Sequence, residues 1–269
     1  NAVMHRDMRL KDNKDRITHI HVQRYANMQN PHLGHIKYEI TPENYSDNIT
    51  FISGIDGSII NYGVPRYRQL NSKHLNIINK EDREGIVHLH ARTIASEVDI
   101  YTSIRNQIHS NHIEVEDLKR DVQTADEEIY EHISLKANEK VTYSLEKTAA
   151  IYTSRDMDVA EPCQSSLMQV EKAAGFDTLL QAHKAYWHDI WDKADIVIEE
   201  DRFTQRTARL HIYHLMVTGS PHNENFDAGI PARGLHGEAY RGHIFWDEVY
   251  ILPFYVKHFP DIVKAFLKY

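Results

Sequence analysis

Apolar and polar residues alternate with a period near two through the first half of the chain, then recur at three- and four-residue spacing through the second. That change of period divides the sequence into a strand-rich part and a helix-rich part. Ile17 to Tyr25 sets Thr, His, Ile, His and Val at near period-two spacing. Ile36 to Ile40 follows the turn-like pair Asn30-Pro31. Asn48 to Ile52, then Gly54-Ile55-Asp56-Gly57, then Ile59-Ile60 predict a strand, a tight turn and a returning strand. Ile86 to Thr93, Val98 to Gln107, Ile129 to Leu135 and Lys140 to Tyr152 add further strands. Many short strands with turns between them predict a β-sandwich.

The pattern changes after about residue 155. Leu167 to Ala174 has helical residues and no alternation. Phe176, Leu179, Leu180, His183, Trp187, Ile190 and Trp191 then mark one face of an amphipathic helix that ends near Asp192. Asp195 to Ile198 is a short extended piece. Thr204 to Val217 is helical, with Ala208, Ile212, Leu215 and Met216 as its buried stripe, and Gly219-Ser220-Pro221 stops it. A long loop runs from His222 to about His243. Ile244 to His258 predicts a buried helix kinked at Pro253, and Asp261 to Tyr269 begins another after Pro260. The chain starts without Met and stops inside a helical pattern with no cap, as part of a longer polypeptide would.

Composition narrows the classes. The 269 residues suit one large or two small domains. Mean hydropathy is -0.56 and no long apolar run occurs, which excludes a membrane-spanning helix. The polar start from Asn1 to Arg16 is no signal peptide, and one cysteine, Cys163, fits a reducing compartment, so a cytoplasmic protein is expected. A net charge of -8 gives no reason to expect nucleic-acid or membrane partners. The charge is uneven: Glu114 to Glu131 carries eight acids against Lys119 and Arg120, which predicts a solvated edge or loop.

The stretch from Gly229 to Glu248 concentrates chemistry. It holds two arginines, two histidines, three acids and three aromatic rings among its glycines. A loop this long inside a helical region is usually functional. Rings offer flat apolar platforms, while acids and arginines offer directional hydrogen bonds around them. That pairing suits a sugar, with its apolar C–H faces and rim of hydroxyls. A carboxylate such as Asp247 can accept two hydroxyl hydrogen bonds at once.

The order Pro231-Ala-Arg-Gly-Leu-x-Gly-Glu-Ala-Tyr-Arg-Gly-His-x-Phe-Trp-Asp247 resembles glycoside hydrolase family 65, which holds maltose, trehalose and kojibiose phosphorylases and some trehalose hydrolases. Arg24-Tyr-Ala-Asn-Met-Gln-Asn-Pro-His-Leu33, Tyr38-Glu-Ile-Thr-Pro42, Ser53-Gly-Ile-Asp-Gly57 and Arg66-Tyr-Arg-Gln-Leu-Asn-Ser-Lys-His-Leu75 look like that family's N-terminal domain, and Tyr152-Thr-Ser-Arg-Asp156 like its junction with the helical region. The resemblance implies a multidomain chain, β then α: an N-terminal β-sandwich over residues 1–155, a helical linker over 156–195, and over 196–269 the first helices of an (α/α)6 catalytic barrel, truncated here. It also implies that Phe245, Trp246 and Asp247 bind the non-reducing glucose, with Arg241 and His243 as secondary candidates. The family more often reads Phe-Trp-Asp-Thr-Glu in its maltose phosphorylases, whereas this chain reads Phe-Trp-Asp-Glu-Val-Tyr. The implied reaction is inverting phosphorolysis of an α-glucosyl disaccharide to glucose 1-phosphate and a sugar. The resemblance implies no cofactor beyond inorganic phosphate as co-substrate, and a homodimer, since the family's members are often dimers. A glutamic acid protonates the glycosidic oxygen while phosphate attacks from the opposite face. The motif alignment puts that acid beyond Tyr269 and supports neither Glu238 nor Glu248 in its place, so the 269 residues alone are expected to be inactive. A trehalose hydrolase of the same family and a non-catalytic sugar-binding or assembly module are the rival readings.

Other candidates have plainer explanations. His19 with His21 and His88 with His90 lie two apart on strands, and His211 with His214 three apart on a helix. No third ligand of fixed spacing joins them, so hydrogen-bonding roles are favoured over a metal site. Trp187 and Trp191 sit at core spacing. Lys73-His74 suits a strand or loop end better than a phosphate site. Cys163 lacks the context of a nucleophile.

Overall fold

The computed structural model describes residues 1–61, 69–70, 72–115, 118–225, 229–232 and 243–267. The chain divides into two compact units. The first holds residues 1–59, 74–154 and 159–183; the second holds 60–73, 155–158 and 184–269.

The first unit is built from two antiparallel sheets. The strands are β1 (Met4–Lys11), β2 (Ile17–Ala26), β3 (Leu33–Pro42), β4 (Asp47–Asp56), β5 (Leu75–Arg83), β6 (Ile86–Thr93), β7 (Asp99–Ser110), β8 (Ile113–Glu114), β9 (Lys119–Thr124), β10 (Glu128–Ala137) and β11 (Tyr143–Thr153). The larger sheet runs β1-β2-β3-β11-β7-β6-β5, with β8 paired to β7, and the smaller runs β4-β10-β9. Their apolar faces meet. Phe51 and Ile133 of the smaller sheet pack with Ile108, Tyr143 and Leu145 of the larger. Ile129 packs with Val87, Leu89, Ala91 and Ile104 in a second cluster. This two-sheet packing is the expected sandwich.

The strand pattern needs one correction. Residues 54–57 do not make a tight turn before a returning strand; β4 runs unbroken to Asp56 and pairs with β10 from Asp47↔Ala137 to Asp56↔Glu128. Gly54 is there for close approach. A Cβ on it would lie 2.3 Å from the Ile129 carbonyl oxygen and 2.3 Å from the Tyr130 ring. Four strands, β1, β5, the two-residue β8 and β9, escape the pattern altogether. β1, β5 and β9 are edge strands with largely exposed side chains, so no buried face imposes alternation on them.

Glu116 and Asp117 of the acidic run lie outside the described residues; the others lie on β8, on β9, at the turn into β10 and within it, and most of them are solvated, as expected of an edge or loop. Glu131 is the exception, at 1% exposure between the sheets. Its carboxylate accepts from Asn106 Nδ2 at 2.7 Å and from Arg120 Nη1 at 2.7 Å, and Ser53 Oγ donates to Asn106 Oδ1. A buried charge survives only when it is paired and hydrogen-bonded in this way.

After β11 come α1 (Pro162–Glu171), α2 (Phe176–Ala194), α3 (Arg202–Thr218), a 3₁₀ turn (Pro221–Asn225), α4 (Glu248–His258) and α5 (Pro260–Phe266). In the first unit α1 packs on the larger sheet, where Val170 joins Leu33, Ala150 and Tyr152. In the second unit Trp187 is 1% exposed and stacks on Trp191 at 5.9 Å and near Tyr213 at 5.5 Å, a core role. Asp201 caps α3 by accepting from the Phe203 and Thr204 amides. Tyr255 OH donates to the Leu215 carbonyl at 2.5 Å, which fastens α4 to the end of α3. The helix expected over 244–258 begins at Glu248 and passes through Pro253. It is not buried: Tyr255 is its one buried residue, while Val249, Tyr250 and Val256 are exposed. No helix among the described residues is long and apolar enough to cross a membrane.

Candidate functional site

Phe245, Trp246 and Asp247 form the approach to α4. The Glu248 amide donates to the Phe245 carbonyl at 3.4 Å, that of Val249 to Trp246 at 3.1 Å, and that of Tyr250 to Asp247 at 3.0 Å. This tight succession of turns fixes the three residues on consecutive steps of one bend. Asp247 occupies the N-cap with helical φ and ψ, yet its side chain makes no capping hydrogen bond. A capping aspartate normally spends its carboxylate on the N2 or N3 amide. Here the carboxylate stays available, at a helix start where the dipole favours negative charge.

The residues before and after it in the chain carry exposed aromatic rings. Trp246 is 70% exposed and Phe245 is 44% exposed. The Trp246 ring meets Tyr250 edge-on at 5.7 Å, and His243 meets Phe245 edge-on at 6.4 Å. His243, Phe245, Trp246 and Asp247 lie within five consecutive residues, and the rings form two separate pairs, His243 with Phe245 and Trp246 with Tyr250. Arg241 lies outside the described residues, as does Glu238. Tyr250 is an addition that sequence reading missed. Its signal was present: Trp246 and Tyr250 stand four apart, the spacing that makes neighbours on a helix face. Exposed rings beside a free carboxylate can stack on a sugar face and hold two of its hydroxyls.

The remaining candidates are tied into the fold. His19 Nε2 and His21 Nδ1 both bond the Asp7 carboxylate, at 2.8 and 2.7 Å, and these bonds hold Asp7 below the usual carboxylate range. His88 Nδ1 bonds Ser103 Oγ, and His90 Nε2 bonds Asp99. These are the hydrogen-bonding roles favoured for the two strand pairs. Cys163 Sγ lies 3.7 Å from His88 Nε2. Burial raises the Cys163 thiol and pushes His88 down to about 4. Thiol and imidazole both stay neutral, the opposite of an activated thiolate–imidazolium pair. The His74 carbonyl accepts from the Ile94 amide, a strand-end role.

Comparison with known proteins gives two matches along the chain. Residues 1–190 match the glycosyl hydrolase family 65 N-terminal domain, and residues 209–269 match the family 65 central catalytic domain. A kojibiose phosphorylase of Thermoanaerobacter brockii is 34% identical over 282 residues, covering 100% of this chain and 35% of its own length. The α,α-trehalose phosphorylase of the same organism is 29% identical over 263 residues, covering 94% of this chain and 33% of its own. An uncharacterized glycosyl hydrolase of Mycobacterium tuberculosis is 34% identical over 271 residues, 100% of this chain and 20% of the relative. The fold matches that of a solved candidate kojibiose phosphorylase from the human microbiome with a TM-score of 0.82, at 19% identity, over 98% of this chain and 33% of that one. The chain thus spans between a fifth and about a third of the length of these relatives. With a domain match over 190 of its residues, this chain belongs to glycosyl hydrolase family 65.

Proposed function

We propose that the protein to which these residues belong catalyses inverting phosphorolysis of an α-glucosyl disaccharide, releasing glucose 1-phosphate and a sugar. Trp246 and Phe245 supply the stacking surface for the glucosyl unit, and Asp247 accepts hydrogen bonds from two of its hydroxyls. His243 and Arg241 flank them as secondary contacts. The observation that carries this reading is the uncapping Asp247 carboxylate beside the exposed Trp246 ring. The similarity to a kojibiose phosphorylase and an α,α-trehalose phosphorylase favours phosphorolysis over hydrolysis.

The reaction needs a carboxylic acid to protonate the glycosidic oxygen and an anion to attack from the opposite face. Phosphate is itself the nucleophile, so no protein base is required for that step. The acid is assigned to none of these 269 residues. Residues 196–269 supply the opening helices of an (α/α)6 barrel and one wall of its sugar site. The chain by itself accordingly binds glucosides without turning them over.

The test is substitution of Asp247 by Ala. Loss of two charge-assisted hydrogen bonds should weaken glucoside binding by about a hundredfold or more. Unchanged affinity removes the site assignment. In the full-length protein, disaccharide cleavage should require inorganic phosphate and yield the β anomer of glucose 1-phosphate, as inversion of an α link demands. Phosphate-independent cleavage to free glucose would establish the hydrolase instead.

A further inference from the structure

Trp246 carries the stacking surface of the proposed sugar site, yet little in the fold holds its ring. The side chain is 70% exposed and precedes the N-cap of α4, too open for core packing to set its rotamer. Among the described residues one ring touches it. Tyr250 lies four positions on, in the first turn of α4, with the ring centroids 5.7 Å apart and the ring planes at 79°. That is the perpendicular arrangement that aromatic quadrupoles favour.

Tyr250 is the fixed member of this pair. Its amide donates to the Asp247 carbonyl at 3.0 Å, so its backbone is tied into the helix. The helix in turn is fastened to α3 through the Tyr255 hydroxyl. The Tyr250 ring is itself 75% exposed, so burial does not account for an aromatic side chain at that position. A ring before the N-cap that packs on the first turn fixes the angle at which the chain enters a helix, as a hydrophobic staple does. Here the contact also stands in for a capping side chain. Asp247 makes no capping bond, and the ring pair holds the helix entry without one. One contact therefore serves both halves of the proposed site: it sets the indole plane and leaves the carboxylate free.

A ligand that meets a freely turning indole must immobilise it, which lowers affinity about two- to tenfold. Holding the ring beforehand removes that loss. We infer that Tyr250 is a positioning residue of the sugar site, whose ring fixes the Trp246 indole for the glucosyl unit without touching the sugar. The inference rests on the stacking role given to Trp246.

The test uses the full-length protein labelled with 5-fluorotryptophan, and methyl α-glucoside as the ligand. The Trp246 ¹⁹F signal is assigned by its loss in Trp246→Phe. Tyr250→Ala removes an exposed ring and no core packing. It should shift the Trp246 signal, because the neighbouring ring current goes with the side chain, and weaken methyl α-glucoside binding about two- to tenfold. Tyr250→Phe keeps the ring and should preserve both the signal and the affinity. In a Trp246→Ala background, Tyr250→Ala should weaken binding no further, since nothing is left to position. An unmoved Trp246 signal in Tyr250→Ala overturns the inference. So does a loss of affinity that adds fully to that of Trp246→Ala, or one that Tyr250→Phe reproduces, which would make the hydroxyl a direct sugar contact. If Trp246→Ala weakens binding and Tyr250→Ala does not, this inference alone falls. If Trp246→Ala leaves binding unchanged, the stacking reading falls and takes this inference with it.

Discussion

Gly54 and Glu131 show how single residues depart from what their types lead one to expect. Glycine in a β-rich stretch signals a turn, but here it lets the Tyr130 ring and the Ile129 carbonyl approach within the space of a missing Cβ. Gly54→Ala should cost about 1–3 kcal/mol, through strain at β10, measured by urea unfolding. Glu131 sits in an acidic run that is otherwise solvated, yet it anchors Asn106 and Arg120 between the sheets. Glu131→Ala should destabilise by about 2–3 kcal/mol, because Asn106 loses its buried acceptor while Arg120, part exposed, can still reach water. An equally stable variant would mean the network contributes nothing.

At the scale of elements, the junction of α3 with α4 and α5 rests on a glycine and a tyrosine. A Cβ on Gly219 would come within 2.7 Å of the Tyr255 hydroxyl and 3.0 Å of Phe266. Gly219 thus ends α3 and also makes room for the two helices that follow. Tyr255→Phe removes the hydroxyl but keeps the ring, so it should cost about 1–2 kcal/mol, including the desolvation of the Leu215 carbonyl. Thermal unfolding of the two variants distinguishes steric from hydrogen-bonding loss: Gly219→Ala should lose more than Tyr255→Phe. The edge strands make a complementary point. Edge strands are specified by their partners' hydrogen-bonding groups more than by their own side chains, so alternation in β1, β5 and β9 is too weak to read.

For the whole molecule, acid sensitivity follows from two buried histidines of the first unit. Burial pushes His35 down to about 4, with His183 adding to it, and burial pushes His88 to about the same value. Both are bases whose folded affinity for a proton lies below the ordinary 6.5. Above pH 6.5 neither state binds the proton and no penalty arises. As pH falls from 6.5 toward 4 the unfolded chain takes up protons that the folded chain refuses, so stability declines across that window. The loss should be on the order of 2 kcal/mol per site and appear as a falling urea midpoint between pH 7 and pH 4.5. Asp99, held low by Arg92 and then His90, acts in the same direction but below the ordinary carboxylate value of 3.8. A midpoint that stays flat until pH 4 would assign acid lability to the carboxylates alone.

The sequence by itself determined the change from strands to helices, because period two and period 3.6 belong to different backbone geometries and survive without tertiary information. It also marked the segment His243–Asp247, since rings and acids gathered among glycines are a local compositional signal. Tertiary structure decided the rest. It placed Gly54 inside a strand, buried Glu131, and freed the Asp247 carboxylate from capping. Each of these depends on which atoms meet across long separations in the chain. Periodicity records only which face of an element is apolar, and is silent on what that face will touch.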